Sequence, residues 1–306
     1  LFTFPALAFR AFFVGITKTR ILTTGAVVMV ITNIVLNYLL IFGNFGFPRL
    51  GISGAALAST ISELSFLIVL VVYVCRKIDK RYYGLRPVYD WQLQFRLFKL
   101  SVWSMMYSFT AVAPWFLFFV VIEHLGEEQL AIANIVRSIS TVFFVIVCSF
   151  STTTGSLVSN LIGAGEYRNI MPLCRKMMGL SYMLGIPLLV FTFLFSDEVL
   201  GIYTKNQELI RNAFWPFVVM LSNYFLSVPA HIYCNAVTGT GRTRTAFVFE
   251  LITILIYLAY LFLVLVQFDV PLMVYWTAEL LYVFVLFVLT YGYMKVRYFK
   301  IYAPEV

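Results

Sequence analysis

Long apolar runs, many of them twenty residues or more, constrain the fold of this chain more than any other feature of its sequence. An α-helix rises about 1.5 Å per residue, so roughly 20 apolar residues are needed to cross about 30 Å of hydrocarbon. Residues 21–42 and 171–195 are two of the runs that reach this length with few charges. The sequence therefore predicts an all-α, polytopic helical membrane protein.

The composition agrees with this class. Apolar residues make up 61% of the chain and charged residues only 12%, whereas soluble domains are about 25% charged. The net charge of +8 could suggest nucleic acid, but the bases are concentrated between the apolar runs, so no nucleic-acid partner is expected. The four cysteines are isolated and show no metal or redox spacing, so no metal and no cofactor are expected.

Eight apolar runs are long enough to be full spans. We place them near residues 21–42, 52–75, 101–122, 129–162, 171–195, 210–238, 245–266 and 272–294. Residues 1–14 are typical of the end of a further helix whose beginning is missing. The polar interval 76–100 is expected to be a linker, with an amphipathic segment at 91–100 that suits the membrane interface.

The charges of the loops predict an orientation. If the linker is cytoplasmic, 17 of the 22 Lys and Arg fall in cytoplasmic intervals and three fall in outside loops. This asymmetry satisfies the positive-inside rule, because short cytoplasmic loops carry the excess of bases. The chain is therefore predicted to be an integral plasma-membrane protein, of a bacterial inner membrane, with a cytoplasmic C-terminus.

A short polar turn occurs twice. Gly-Ile-Thr-Lys-Thr-Arg at residues 15–20 returns as Gly-Thr-Gly-Arg-Thr-Arg at residues 239–244, each time on the predicted cytoplasmic side and before two spans. Equal orientation indicates parallel repeats, related by an axis along the membrane normal. The predicted domains are a partial first lobe at 1–75, the cytoplasmic linker at 76–100 and a six-helix second lobe at 101–306.

Residues 37–43 (Asn-Tyr-Leu-Leu-Ile-Phe-Gly) lead into 50–58, residues 157–165 end in Ile-Gly-Ala-Gly, and residues 237–243 include most of the second polar turn. These three stretches resemble the multidrug and toxic compound extrusion (MATE) family of transporters. The resemblance implies a two-lobe bundle of twelve helices, of which the end of helix 4 and helices 5–12, about nine, are present here. It also implies a monomer that exports multiple drugs and small organic cations across the lipid bilayer. Such secondary active efflux works by alternating access, in exchange for H⁺ or Na⁺.

The sequence departs from the family pattern at two positions. The sodium-coupled branch of the family has a glutamate in the seventh helix and an aspartate in the tenth. The resemblance puts these positions near Ala111 and Ser227, and neither residue is acidic. The coupling ion therefore stays open between H⁺ and Na⁺.

Three glutamates fall inside predicted spans and are the candidates for ion coupling: Glu63, Glu250 and Glu279. An ionisable side chain at the bilayer centre costs about 2.5–3.5 kcal/mol on insertion scales, so it needs a partner or a role. A buried carboxylate that can hold either a proton or a cation provides the exclusivity that antiport requires. The alternative is a structural carboxylate, either bonded to hydroxyls or paired with a base such as Arg137, which is then the expected counter-charge.

Aromatic and amide side chains in the second lobe are candidates to line a cavity. Aromatic faces attract lipophilic cations, and amides either bond a substrate or join helices. The candidates are Tyr107, Trp115, Tyr224, Tyr233, Asn134, Asn223 and Asn235. The polar run at residues 149–156 is also expected to face the bundle interior or a water-filled cavity, because its hydroxyls would be stranded in lipid.

Two other functions are weighed against export of cations. A flippase of lipid-linked oligosaccharides would favour basic residues inside the lobes, to hold pyrophosphate. An integral membrane enzyme would need a catalytic constellation, but the two histidines, His124 and His231, have neither metal-ligand nor triad spacing. We expect a transporter rather than an enzyme.

Overall fold

The computed structural model describes residues 2–79, 82–84, 89–265, 267 and 270–298. Most of these residues are helical, and no strand occurs among them. Parts of the predicted linker, at residues 80–81 and 85–88, lie outside the described residues, as does the C-terminal segment 299–306 that is predicted to be cytoplasmic.

The helices confirm the predicted class. They are α1 (Thr3–Gly15), α2 (Arg20–Phe42), α3 (Ile52–Lys77), α4 (Trp91–Glu123), α5 (Glu127–Gly163), α6 (Ile170–Leu194), α7 (Ser196–Gly201), α8 (Gln207–Gly239), α9 (Thr243–Tyr260), α10 (Leu272–Tyr275) and α11 (Thr277–Tyr293). Within the described ranges, eight helical stretches are long and apolar enough to cross a membrane, and they coincide with the eight predicted spans. The chain is an integral membrane protein with a polytopic helical fold.

The chain divides into two compact units at Asp90 and Trp91. In the first unit, α2 packs along α3 and both contact α1. Its small core contains Phe13, Phe66 and Leu70. Gly25 of α2 lets the ring of Phe66 approach closely, because a Cβ at that position would lie 2.9 Å from the ring. The absence of a side chain thus allows α2 and α3 to pack closely.

The second unit is built around α8, which contacts α5, α6, α9 and α11. Fifteen of its residues are buried, more than in any other described helix. Gly239 of α8 meets Gly155 of α5, so the two backbones come into contact. The hydroxyl of Ser159 on α5 donates to the carbonyl of Gly239 at 2.7 Å. Small residues and hydroxyls are the usual means of holding helices together in lipid.

A second close contact joins α6 and α8 through two tyrosines. The hydroxyl of Tyr182 donates to the carbonyl of Phe225 at 2.7 Å, and the hydroxyl of Tyr224 donates to the carbonyl of Ser181 at 2.8 Å. Pro229 lies four residues after Phe225 and has no N–H, so it leaves that carbonyl without its helical donor. Tyr182 therefore satisfies a carbonyl that a proline has freed.

The segment predicted to be amphipathic, residues 91–100, forms the first turns of α4 and continues into the span without a break. All ten of its side chains are exposed in the described structure.

The two polar turns share a backbone feature. The third residue of each copy is left-handed: Thr17 has φ of 59° and Gly241 has φ of 78°. The second copy also ties helices together, since Arg242 donates to the hydroxyl of Tyr293 at 2.8 Å. The guanidinium of Arg244 lies over the ring of Trp103, 5.3 Å from its centre. The two copies of the polar turn are therefore similar in backbone conformation at their third residue as well as in sequence.

Candidate functional site

The second unit contains a cavity of about 340 Å³ between α4, α5, α8 and α11. Most of the side chains on its wall are polar or aromatic. They are Tyr107, Ser108, Ala111, Pro114, Trp115, Phe144, Cys148, Ser151, Thr152, Asn223, Ser227, His231, Asn235, Glu279, Tyr282 and Val283. We refer to this space as the central cavity.

Helical spacing explains how the wall is assembled. The contribution of α8 repeats every fourth residue, at Asn223, Ser227, His231 and Asn235, so these side chains form one stripe along the helix. Nδ1 of His231 donates to the carbonyl of Ser227 at 2.9 Å, and the amide of Asn235 donates to the carbonyl of His231 at 3.1 Å. These bonds run along α8, and they fix the side chains against their own helix.

Two buried glutamates are held by tyrosines of the neighbouring helix. The hydroxyl of Tyr257 on α9 donates to Oε1 of Glu279 on α11 at 3.1 Å. In return, the hydroxyl of Tyr282 on α11 donates to Oε1 of Glu250 on α9. Each helix thus supplies one carboxylate and one phenol, and the two tyrosine rings contact edge to face, with their centres 6.1 Å apart.

The two glutamates differ in their access to the central cavity. Glu279 is 5% exposed and stands on the wall. Glu250 is 0% exposed and is not part of the wall, whereas Tyr282, which binds it, is. The second oxygen of Glu250, Oε2, has no hydrogen-bond partner among the described residues. Glu279 can therefore meet a ligand directly, and Glu250 lies behind Tyr282.

The two positions at which the resemblance implied acids both lie on the wall. Ala111 is on α4 and Ser227 is on α8. The acidic group of this cavity comes instead from α11, as Glu279. No group of three or more His, Cys, Asp or Glu suited to a metal ion is found in the part of the chain that the structure describes.

Four of the predicted aromatic and amide residues line the central cavity: Tyr107, Trp115, Asn223 and Asn235. The hydroxyl of Tyr107 lies 3.4 Å from Sγ of Cys234. Trp115 also packs edge to face on Trp276 at a ring distance of 6.3 Å. A smaller pocket of about 50 Å³ adjoins this end of the cavity and includes the predicted Tyr224.

The structure does not bring the remaining candidates to the cavity wall. Tyr233 is buried against Tyr291, with a ring distance of 5.1 Å. Asn134 donates to the carbonyl of Leu130 and accepts from Arg137. Arg137 is exposed, and its guanidinium also lies over the ring of Phe119, 4.7 Å from the ring centre. It is therefore not paired with Glu250 or Glu279.

The third candidate carboxylate, Glu63, lies in the first unit. It is exposed there and accepts a hydrogen bond from the hydroxyl of Thr3.

The sequence analysis did not single out several residues of the site. The wall residues Ser108, Cys148 and Tyr282 gave no local signal, because their roles depend on which helices become neighbours. The same holds for Tyr257, which lies off the wall and bonds Glu279. His231 could have been found, since it completes the stripe of polar residues at fourth positions on α8. The polar run at residues 149–156 does reach the cavity, through Ser151 and Thr152.

Eight candidate spans and a polar cavity between four helices define a polytopic membrane protein with a ligand-sized internal site. The MatE family model matches residues 104–263, just over half of the chain's 306 residues. The chain belongs to this family, whose members are transporters rather than enzymes.

Relatives from bacteria support the assignment. The chain is 25% identical to the probable multidrug resistance protein YoeA of Bacillus subtilis over 78% of its own length and 53% of the relative. It is also 25% identical to the probable multidrug resistance protein NorM of Thermotoga maritima, over 78% of its length and 51% of the relative. The chain spans about half the length of the curated relatives that it matches.

Solved structures share the fold at low sequence identity. A mutant form of the Vibrio cholerae MATE transporter VcmN superposes with a TM-score of 0.81 at 15% identity, over 98% of this chain and 67% of that one. An outward-facing multidrug resistance MATE transporter gives 0.80 at 15% identity, over 92% and 63%. The fold is therefore the MATE fold.

Proposed function

We propose that this protein is a secondary active exporter that moves small organic cations out of the cell in exchange for H⁺ or Na⁺. The relatives that are named multidrug resistance proteins support export of several compounds. The observation that carries the proposal is the central cavity, where Glu279 is the only Asp or Glu among the described residues of the wall and shares that wall with aromatic rings and amides.

The chemistry of the wall suits a lipophilic cation. Glu279 provides one negative charge in a membrane-embedded site, where Coulomb attraction is stronger than in water. Tyr107 and Trp115 offer aromatic faces, each worth about 0.5–2 kcal/mol to a cation. Asn223 and Asn235 add polar groups that orient a ligand. Ligand cavities are typically about 300–1,000 Å³, so this one suits a single small molecule.

Antiport requires that one carboxylate bind either the substrate cation or the coupling ion, but never both at once. The substrate cation and the coupling ion compete for Glu279, and the cavity opens to one side of the membrane at a time. Tyr257 holds the carboxylate in place through Oε1, so that competition happens at a fixed position. The cycle exports a cation when the coupling ion, entering down its gradient, displaces it.

A lipid-linked oligosaccharide flippase is the second candidate function. Such a protein would hold pyrophosphate, for which Arg and Lys are the usual partners. Among the described residues on the cavity wall, none is Arg or Lys. This lining favours a cationic substrate over a pyrophosphate.

The orientation and assembly belong to the same proposal. We place the protein in a bacterial inner membrane as a monomer, with the linker and the C-terminus in the cytoplasm. The distribution of bases in the loops supports this orientation. The two-lobe arrangement, with residues 1–75 and 101–306 in separate lobes, is proposed from the repeated turn and the family fold.

The test is uptake of a fluorescent lipophilic cation into inverted membrane vesicles that contain the protein, because export from the cell is transport into the lumen of such vesicles. An imposed pH gradient and an imposed Na⁺ gradient are applied separately, to identify the coupling ion. We expect Glu279→Gln to reduce gradient-driven transport at least about tenfold, because it removes the negative charge for which the substrate and the coupling ion compete. The matched control is Glu127→Gln, an exposed carboxylate at the start of α5, which should transport normally. Normal transport by Glu279→Gln would contradict the proposal.

A further inference from the structure

Tyr282 stands between the central cavity and Glu250. Its side chain lines the cavity, and its hydroxyl donates to Oε1 of Glu250. Glu250 itself is 0% exposed and has no place on the wall. The phenol is therefore the group that connects the cavity to this buried carboxylate.

Glu250 is closed off from a substrate, because it is fully buried and does not line the central cavity. Tyr107 and Tyr282 pack against a buried cluster that includes Cys234, Val283 and Leu286. The helices that contact α9 are α4, α8 and α11. The titratable groups that they bring to this region are Tyr107 on α4, His231 and Cys234 on α8, and Glu279 and Tyr282 on α11, with Cys148 of α5 on the cavity wall.

We propose that Tyr282 relays protons between the central cavity and Glu250, so that Glu250 is a proton-binding site that substrate cations never reach. This inference rests on the proposed export function and specifies H⁺ as an exchanged ion. Glu279 remains the group for which the substrate and the proton compete, and Glu250 takes up and returns the exchanged proton through Tyr282. The two carboxylates have different roles because Glu279 lies on the cavity wall and Glu250 lies behind Tyr282.

The relay conserves protons at each step. The O–H bond of Tyr282 breaks as an O–H bond forms on Oε1 of Glu250, and the phenol oxygen takes a proton from a hydronium ion in the cavity. The net change is one proton moved from cavity water to Glu250, with water left behind. The reverse steps return the proton. A phenol can do this because its hydroxyl is a donor and an acceptor at once.

Glu279 needs no such relay. Its carboxylate is on the wall, and the phenol that binds it, Tyr257, is not. The same two helices carry a third phenol, Tyr260, whose hydroxyl lies 2.9 Å from Oγ1 of Thr277. Tyr260→Phe therefore removes a bond between α9 and α11 without touching either carboxylate, and it is the matched control.

The experiment compares two transport modes of the protein in liposomes, with a fluorescent lipophilic cation as the probe. Efflux driven by a pH gradient needs net proton transfer, whereas exchange of labelled for unlabelled cation without a gradient needs none. We expect Tyr282→Phe and Glu250→Gln to slow driven efflux at least about tenfold and to keep the exchange. We expect Tyr260→Phe to keep both. A merely structural role of Tyr282 would reduce both modes together.

Every other outcome overturns either the proton relay or the proposed exporter. Driven efflux at the unmodified rate in Tyr282→Phe overturns the relay, and so does loss of both modes in that variant when it is folded. If Tyr282→Phe does not fold, Glu250→Gln alone decides, since normal driven efflux in that variant removes the proposed site. Transport by the unmodified protein that follows a Na⁺ gradient and ignores pH overturns the relay and leaves the exporter standing. Absence of both modes in the unmodified protein is the failure of the exporter itself.

Discussion

Gly239 of α8 and Gly155 of α5 meet backbone to backbone. A Cβ added to Gly239 would lie 2.3 Å from the carbonyl oxygen of Gly155, far inside van der Waals contact. The hydroxyl of Ser159 bonds the carbonyl of Gly239 next to this contact. The crossing of the two helices that carry most of the cavity's polar groups is therefore fixed by the absence of side chains.

Gly239→Ala should destabilise the second unit, because the new methyl group forces α5 and α8 apart. Overpacking of this kind costs about 1–3 kcal/mol. Thermal unfolding in detergent micelles would measure the loss as a lower midpoint. Gly179→Ala on α6 is the control, since nothing lies within 4 Å of its added Cβ. Alanine there should be neutral or stabilising by up to about 1 kcal/mol. Equal midpoints for the two variants would show that the close contact is absent.

Tyr182→Phe should destabilise the contact between α6 and α8. The phenol is the donor for the carbonyl of Phe225, which Pro229 has deprived of its helical partner. An unsatisfied polar group in a protein interior costs about 1–3 kcal/mol, and lipid offers no water as a substitute. Thermal unfolding measures this loss. Tyr203→Phe, at an exposed tyrosine after α7, should leave the midpoint unchanged. A neutral Tyr182→Phe would mean that another donor reaches Phe225.

Tyr257 and Glu279 should be energetically coupled. Their hydrogen bond joins α9 to α11, and both side chains are buried. A double-mutant cycle with Tyr257→Phe and Glu279→Gln should give a coupling free energy of about 0.5–3 kcal/mol in unfolding experiments. The pair Tyr260 and Glu279 provides a comparison, since the hydroxyl of Tyr260 bonds Thr277 instead. Additive effects within the Tyr257 cycle would contradict the observed bond.

The proposed orientation predicts which positions can be labelled from outside the cell. Arg168→Cys lies in an exposed turn that the charges place in the cytoplasm, and Gln207→Cys lies at the exposed start of α8, which they place outside. In a background where Cys75 and Cys148 are replaced by alanine, an impermeant maleimide should label only Gln207→Cys in intact cells. Permeabilised cells should show labelling of both. The opposite pattern in intact cells would reverse the orientation.

The sequence was sufficient for the fold because membrane insertion depends on length and hydropathy, which are local properties. The largest difference between a predicted span and its observed helix is in α4, which begins at Trp91 rather than near residue 101. A polar segment can continue a helix into the aqueous region, and hydropathy alone does not register it.

The site was only partly predictable, because the wall depends on the angle at which each side chain leaves its helix. On α8, Asn223 and Asn235 belong to the stripe at fourth positions, and both reach the cavity. Tyr233 follows His231 by two residues, about 200° further around the helix, so it points to a different neighbour. As an aromatic residue, Tyr233 was a good candidate for the cavity wall, but its position around the helix turns its side chain away from the wall.

The pairing of Glu250 with Tyr282 and of Glu279 with Tyr257 could not be derived from the sequence. It depends on how α9 and α11 are aligned lengthwise, and no local pattern encodes that alignment. Burial of Glu250 and Glu279 followed from their place within spans, but the identity of their donors required the structure.

The crossed arrangement of these donors opposes sliding between the two helices. Moving α9 along α11 by a single turn, about 5.4 Å, would strip both carboxylates of their phenols in the same movement. We therefore expect α9 and α11 to move as one body whenever the width of the cavity changes.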